Sequence, residues 1–119
     1  MSRSVNKVIL VGNVGRDPDI QVTRSGTKVA HLSLATNRRH TGEEEERTEW
    51  HRLTLWNRLA EVTQEHVHRG DRIYVEGRLE YDSYEREGVR IPTVDVMVRE
   101  LVLLSRREDG GEGEPDEEA

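Results

Sequence analysis

The chain has no cysteine and no phenylalanine, three prolines, two lysines among its 18 basic residues, and five aromatic rings in 119 residues, two Trp and three Tyr. Without cysteine there is no disulfide framework, no thiolate nucleophile and no cysteine-ligated zinc. Long hydrophobic runs are missing too: the longest, Val8 to Val11 and Leu101 to Leu104, are four residues each. That is far short of the roughly 18 apolar residues of a membrane span, and no charged-then-apolar leader precedes the first run. The expectation is a soluble, cytoplasmic protein with no membrane partner. At 33% hydrophobic and 35% charged, the composition supports one modest core and therefore one domain.

Positive charge is also short in total, since 24 acidic residues outweigh 18 basic ones for a net −6. Its distribution matters more than its sum. Glu108 to Ala119 holds seven acids and no base, so residues 1 to 107 carry 18 bases and 17 acids, a net +1. Setting aside the acidic run Glu43 to Glu46, read as a solvated loop tip, leaves +5 on the rest. A body of this kind retains a local basic surface, so the net charge does not exclude a polyanionic ligand. Sixteen of the 18 bases are Arg, whose planar fork suits phosphates and stacks on bases.

Along the chain, residues 5–14 read as a first strand closed by Gly12 and Gly15, with a turn at Asp17-Pro18-Asp19. A second strand runs from Val29 to Thr36 after the Arg24-Ser25-Gly26-Thr27 turn, and a third from Thr48 to Trp56 after a polar loop. Asn57 is placed to cap a short helix, Arg58 to Arg69, stopped by Gly70. Residues 72–84 alternate as a fourth strand with a bulge expected at Gly77; Val94, Val96 and Val98 lead a fifth strand ending near Leu104. Five strands with one short helix between the third and fourth is the element order of an OB-fold, an all-β Greek-key barrel. The tail from Glu108 has no large apolar residue and reads as disordered, giving a domain over residues 1–106 and an acidic tail over 107–119.

The third strand carries the chemistry. Side chains alternate, so Thr48, Trp50, Arg52, Thr54 and Trp56 share one face while Leu53 and Leu55 claim the core. Both tryptophans and an arginine therefore stand on the accessible face, about 20 Å apart end to end at roughly 3.3 Å per residue. Arg78 and Tyr84 stand likewise opposite Ile73, Val75, Leu79 and Tyr81. Rings interleaved with Arg on an open sheet face are what binders of single-stranded nucleic acid use, bases stacking on rings and guanidiniums following phosphates. The alternative is that the tryptophans pack against a second subunit or close the barrel end. Gly12-Asn13-Val14-Gly15 matches a GXXG loop only on paper, since no helix follows it. His66 and His68 point different ways on a helix and make a poor metal pair, while Glu49 near His51 lacks any nucleophile.

The segments VNKVILVGNVGRDPD, SLATN, TEWHRLTLWNRLAE and RGDRIYVEGRL, with the closing valine strand, resemble in order and spacing the bacterial single-stranded DNA-binding protein family over about residues 3–104. The resemblance implies an OB-fold, a homotetramer, sequence-independent wrapping of single-stranded DNA in replication, repair and recombination, a nucleoid-associated location, no cofactor and no enzymatic activity. By position it implies that Trp50, Trp56 and Tyr84 stack on bases. Arg3, Lys7, Asn13, Arg52, Arg58, Arg69 and Arg90 fall where the family contacts the backbone, and Arg78 joins them from the alternation. His51 and Tyr74 fall at subunit contacts.

Three departures accompany the resemblance. Asn37-Arg38-Arg39-His40 stands where the family usually has another stacking Trp, and Asp82-Ser83 where it tends to be basic. Replication and repair proteins are expected partners, but the tail ends Asp116-Glu117-Glu118-Ala119, without the terminal Phe by which the family docks them. A rival reading is an OB-fold interaction module of the replication machinery that binds DNA weakly, and alternation alone does not separate DNA from RNA.

Overall fold

The computed structural model describes residues 3–39 and 46–106. The tail expected to be disordered and most of the acidic loop from Glu43 lie outside the described residues. The elements are β1 (Val8–Val14), β2 (Asp19–Val22), β3 (Lys28–Arg39), β4 (Glu46–Trp56), α1 (Arg58–His66), β5 (Arg72–Arg86) and β6 (Val89–Ser105). The five expected strands are present, with the helix between the third and fourth of them. A sixth, β2, pairs antiparallel with the start of β3, Asp19 opposite His31 and Val22 opposite Lys28. It follows a proline and holds four residues with only Ile20 half-buried, too short for alternation to announce it.

The sheet runs β1-β5-β6-β4-β3-β2, and a further β1–β3 pairing closes it into a barrel. Two halves compose it. In one, β3 and β4 form a hairpin paired from Val29↔Trp56 out to Arg39↔Glu46. In the other, β5 and β6 form a longer hairpin, out to Arg86↔Val89, with β1 along its edge. The halves meet at two narrow seams: antiparallel β1–β3, through Asn13↔Ala35 and Val14↔Leu34, and parallel β4–β6, through Leu53↔Val96 and Thr54↔Met97.

Alternation explains the core. Leu34, Leu53, Leu55, Ile73 and Val75 are fully buried, joined by Val14, Ala30, Leu32, Val96 and Val98 from the facing strands. Ala60 and Val67 from the helix region complete the same cluster. Gly12 lies where β1 crosses to β3, and a Cβ there would stand 2.2 Å from the Ala35 carbonyl oxygen. This close approach, and not a nucleic-acid loop, accounts for the first glycine of the GXXG string. Gly77 marks the expected irregularity: the β5–β6 register shifts between Glu76 and Gly77.

Three local expectations are corrected. Asn57 precedes the helix, but its side chain makes no capping hydrogen bond; what it supplies is a positive φ of 60°. The helix ends at His66 and not Arg69, because Val67 turns extended to enter the core. Tyr81, on the core side of β5 by alternation, is 70% exposed because the β5–β6 hairpin has by then run past the barrel.

Candidate nucleic-acid interface

The outward residues of β3 and β4 make one continuous surface, because directly opposed side chains in an antiparallel pair point the same way. Trp50 opposes Ala35, Arg52 opposes Ser33, Thr54 opposes His31 and Trp56 opposes Val29. The small Ala35 opposite Trp50 leaves that ring 61% exposed; Trp56, opposite the buried Val29, is 40% exposed. Trp50 has a second support that sequence reasoning missed. Its indole lies over Gly15, where a Cβ would stand 2.4 Å from Cζ3 and 2.8 Å from Cη2. Nothing in the alternation signals this, since Gly15 sits between strands. Arg16 beside it donates from Nη2 to Ser33 Oγ at 3.5 Å, and Thr48 Oγ1 donates to Asn37 Oδ1 at 2.8 Å.

Across the parallel seam the same surface continues onto β6 and β5. Met97 lies beside Thr54 and opposite Arg78, and Asp95 opposes Glu80. Farther out, Tyr84 opposes Ile91 and is 47% exposed. Trp50, Trp56, Arg52, Arg78 and Tyr84 are thereby brought onto one outward surface. Two of its cations are already engaged: Arg52 Nε lies 3.3 Å from Asp95 Oδ1, and Arg78 Nη2 3.3 Å from Glu80 Oε1. Neither acid was singled out from sequence, because the pairing depends on cross-strand register.

The remaining expected contacts stand apart from these five residues, except that Asn13 opposes Ala35 and so faces the same way as Trp50. Arg90 opposes Glu85 and donates to Ser83 Oγ at 2.7 Å, on the face of the hairpin away from Tyr84. Arg58 is exposed at the start of α1, at 3.8 Å from Glu61. The backbone N–H of Arg69 donates to Asp17 Oδ1 at 2.9 Å, fastening the helix exit to the loop after β1. Asn13 Oδ1 accepts from Arg72 Nη1 at 3.1 Å, and Arg3 is exposed ahead of β1.

Lys7 belongs to a separate cluster. Its ammonium lies 3.1 Å from Glu76 Oε2, Arg99 reaches the same oxygen at 3.6 Å, and the Tyr74 hydroxyl donates to Glu76 Oε1 at 3.0 Å. Hydrogen bonds from Lys7 and Tyr74 hold the Glu76 carboxyl below the usual carboxylate range, against the opposing effect of partial burial. The Tyr74 phenol is pushed above its ordinary value, first by that bond to Glu76, then by burial and by the charges of Glu76 and Glu100. Around this cluster Ile9, Val11 and Val102 are exposed apolar side chains in register with Glu76 and Tyr74. His51 is half-buried opposite Leu34, its Nε2 2.9 Å from Thr36 Oγ1. Among the described residues no group of three or more His, Asp or Glu is arranged to hold a metal, and no helix is long and apolar enough to cross a membrane.

Known proteins resemble this chain in sequence and fold. The model of the single-strand binding protein family matches residues 5–104. The chain is 42% identical over 114 residues to a single-stranded DNA-binding protein of Xanthomonas campestris pv. campestris, covering 92% of this chain and 66% of that one. With its counterpart in Xylella fastidiosa the identity is 39% over 115 residues, covering 93% and 70%. The chain thus spans about two thirds of the length of these curated relatives. Among solved structures it superposes on a Plasmodium falciparum SSB in complex with ssDNA, with a TM-score of 0.81 and 29% identity, over 88% of this chain and 99% of that one. A barrel of this topology, matched by the family model along nearly all of its described length, belongs to the single-strand binding protein family.

Proposed function

We propose that this chain binds single-stranded DNA without sequence preference, through base stacking on Trp50, Trp56 and Tyr84 and phosphate contacts from Arg52 and Arg78. The observation that carries the reading is the exposure of both indoles on one sheet face, with an arginine between them. An indole left accessible on a rigid sheet offers a π-surface to any base, so binding tolerates every sequence. Asn13 opposes Ala35, the residue opposite Trp50, while Arg3, Lys7, Arg58, Arg69 and Arg90 stand apart from the rings, and we read all six as contacts for a strand that wraps around the barrel. The relatives' names and the DNA-bound neighbour support this reading.

In the same proposal the binding unit is residues 1–106, with the acidic residues 107–119 as an appendage, acting in the bacterial cytoplasm on nucleoid DNA during replication, repair and recombination. It binds and protects; it catalyses nothing. The proposed assembly is a homotetramer, supported by the exposed apolar side chains around Tyr74, with His51 as a second contact.

The test is intrinsic tryptophan fluorescence during titration with poly-dT at low and then high salt. Deep, saturable quenching with a midpoint that rises with salt is expected, because counterions are released from each neutralised phosphate. Absence of quenching at low salt would overturn the reading and favour a protein-interaction module.

A further inference from the structure

Two acids stand in the middle of a surface proposed to meet phosphates. Glu80 and Asp95 are direct cross-strand neighbours, an arrangement of like charges that disfavours the pairing. Asp95 Oδ1 and Glu80 Oε1 are shielded from water and accept no hydrogen bond among the described residues. The charge of the flanking guanidiniums offsets their desolvation, each at 3.3 Å: Arg52 beside Asp95, Arg78 beside Glu80. The four side chains form a row, Arg52, Asp95, Glu80, Arg78, that crosses the β4–β6 seam, with Arg52 on the β4 face between the two tryptophans.

We infer that Asp95 and Glu80 are internal stand-ins for phosphate, keeping Arg52 and Arg78 neutralised until single-stranded DNA displaces them, and so setting the affinity and salt dependence of binding. The inference rests on the proposed function of this face. A guanidinium released from a carboxylate to a phosphate frees one counterion from the DNA, but the abandoned carboxylate gathers a cation in return. The exchange therefore adds almost nothing to the salt dependence, whereas an arginine with no internal partner adds its full share. The acids also keep these two arginines from capturing other polyanions indiscriminately, since any ligand must outcompete a carboxylate at 3.3 Å from each.

The experiment is the poly-dT titration over a tenfold range of salt with the full chain, its Asp95→Asn and Glu80→Gln variants, and Asp82→Asn as a control. Asp82 lies on the same face of β5, but its Oδ1 accepts from the Ser83 backbone N–H. Asp95→Asn and Glu80→Gln are each expected to steepen the slope of log affinity against log salt by about 0.7, the share of one phosphate on a single strand. Their advantage over the parent then grows about fivefold for each tenfold drop in salt. Asp82→Asn should tighten binding less and leave the slope near the parent's. In an Arg52→Gln background, Asp95→Asn should lose its effect on the slope. Weaker binding by Asp95→Asn and Glu80→Gln would show that the acids aim the guanidiniums and would overturn the inference. So would a steepening that persists without Arg52. A parent chain that fails to quench at low salt would instead defeat the proposed function.

Discussion

Trp50 and Trp56 are equal in the strand pattern and unequal in their surroundings. Replacing either by Ala should weaken poly-dT binding by about 1–3 kcal/mol, the usual worth of a base stack, measured by equilibrium titration at fixed salt. Trp50 has the further dependence on Gly15. Gly15→Ala should push the indole aside and reduce affinity toward that of Trp50→Ala, while thermal stability moves by no more than about 0.5 kcal/mol, since no core contact changes. The Glu76 cluster gives a pH signature. Its folded carboxyl is held below its unfolded value, so the stability it adds is present above the unfolded value and is lost as pH falls through the folded one. Tyr74 is shifted the other way, and its contribution is lost as pH rises through its raised value. Denaturant unfolding of Glu76→Gln across acid pH should show a flatter acid limb than the parent. Of these features the exposed tryptophans were legible in the sequence, because β4 alternates without interruption. Gly15 under the ring, and the acids beside Arg52 and Arg78, depend on which strand lies next to which, and no local pattern carries that.

At the scale of elements, the strands legible in advance were those with an apolar run closed by glycines, as in β1, or with an inside-outside alternation, as in β3 to β6. The short β2 escaped, as did the extent of β5 and β6, which continue as a hairpin past the barrel. There the inward side chains have no core to meet, so Tyr81 obeys the alternation and is exposed all the same. The hairpin is closed by Glu87 and Gly88, with φ of 52° and 81°. Both central positions are left-handed, the requirement of a tight two-residue turn, which Asn meets more easily than Glu. Glu87→Asn should therefore stabilise the chain by roughly 0.5 kcal/mol in denaturant titration. A β-branched residue in place of Gly88 should destabilise it.

For the whole molecule, the closed barrel leaves two distinct outer regions, one of rings and paired charges, the other of Ile9, Val11, Tyr74 and Val102 around Glu76. A charge placed in the second region should act on assembly and spare the first. If the proposed homotetramer forms through this region, Val102→Glu is expected to shift it to smaller species in sedimentation velocity, with tryptophan quenching by a short oligonucleotide retained. The two barrel halves are joined through only two residue pairs at each seam, against eleven along the β3–β4 hairpin. The fastest protected amides in hydrogen exchange should be those at the β1–β3 and β4–β6 junctions, while the interior of each hairpin exchanges only with global unfolding. Local opening is thus expected to begin along the lines that the connectivity has left thin, even though Leu34 and Leu53 on those lines are fully buried.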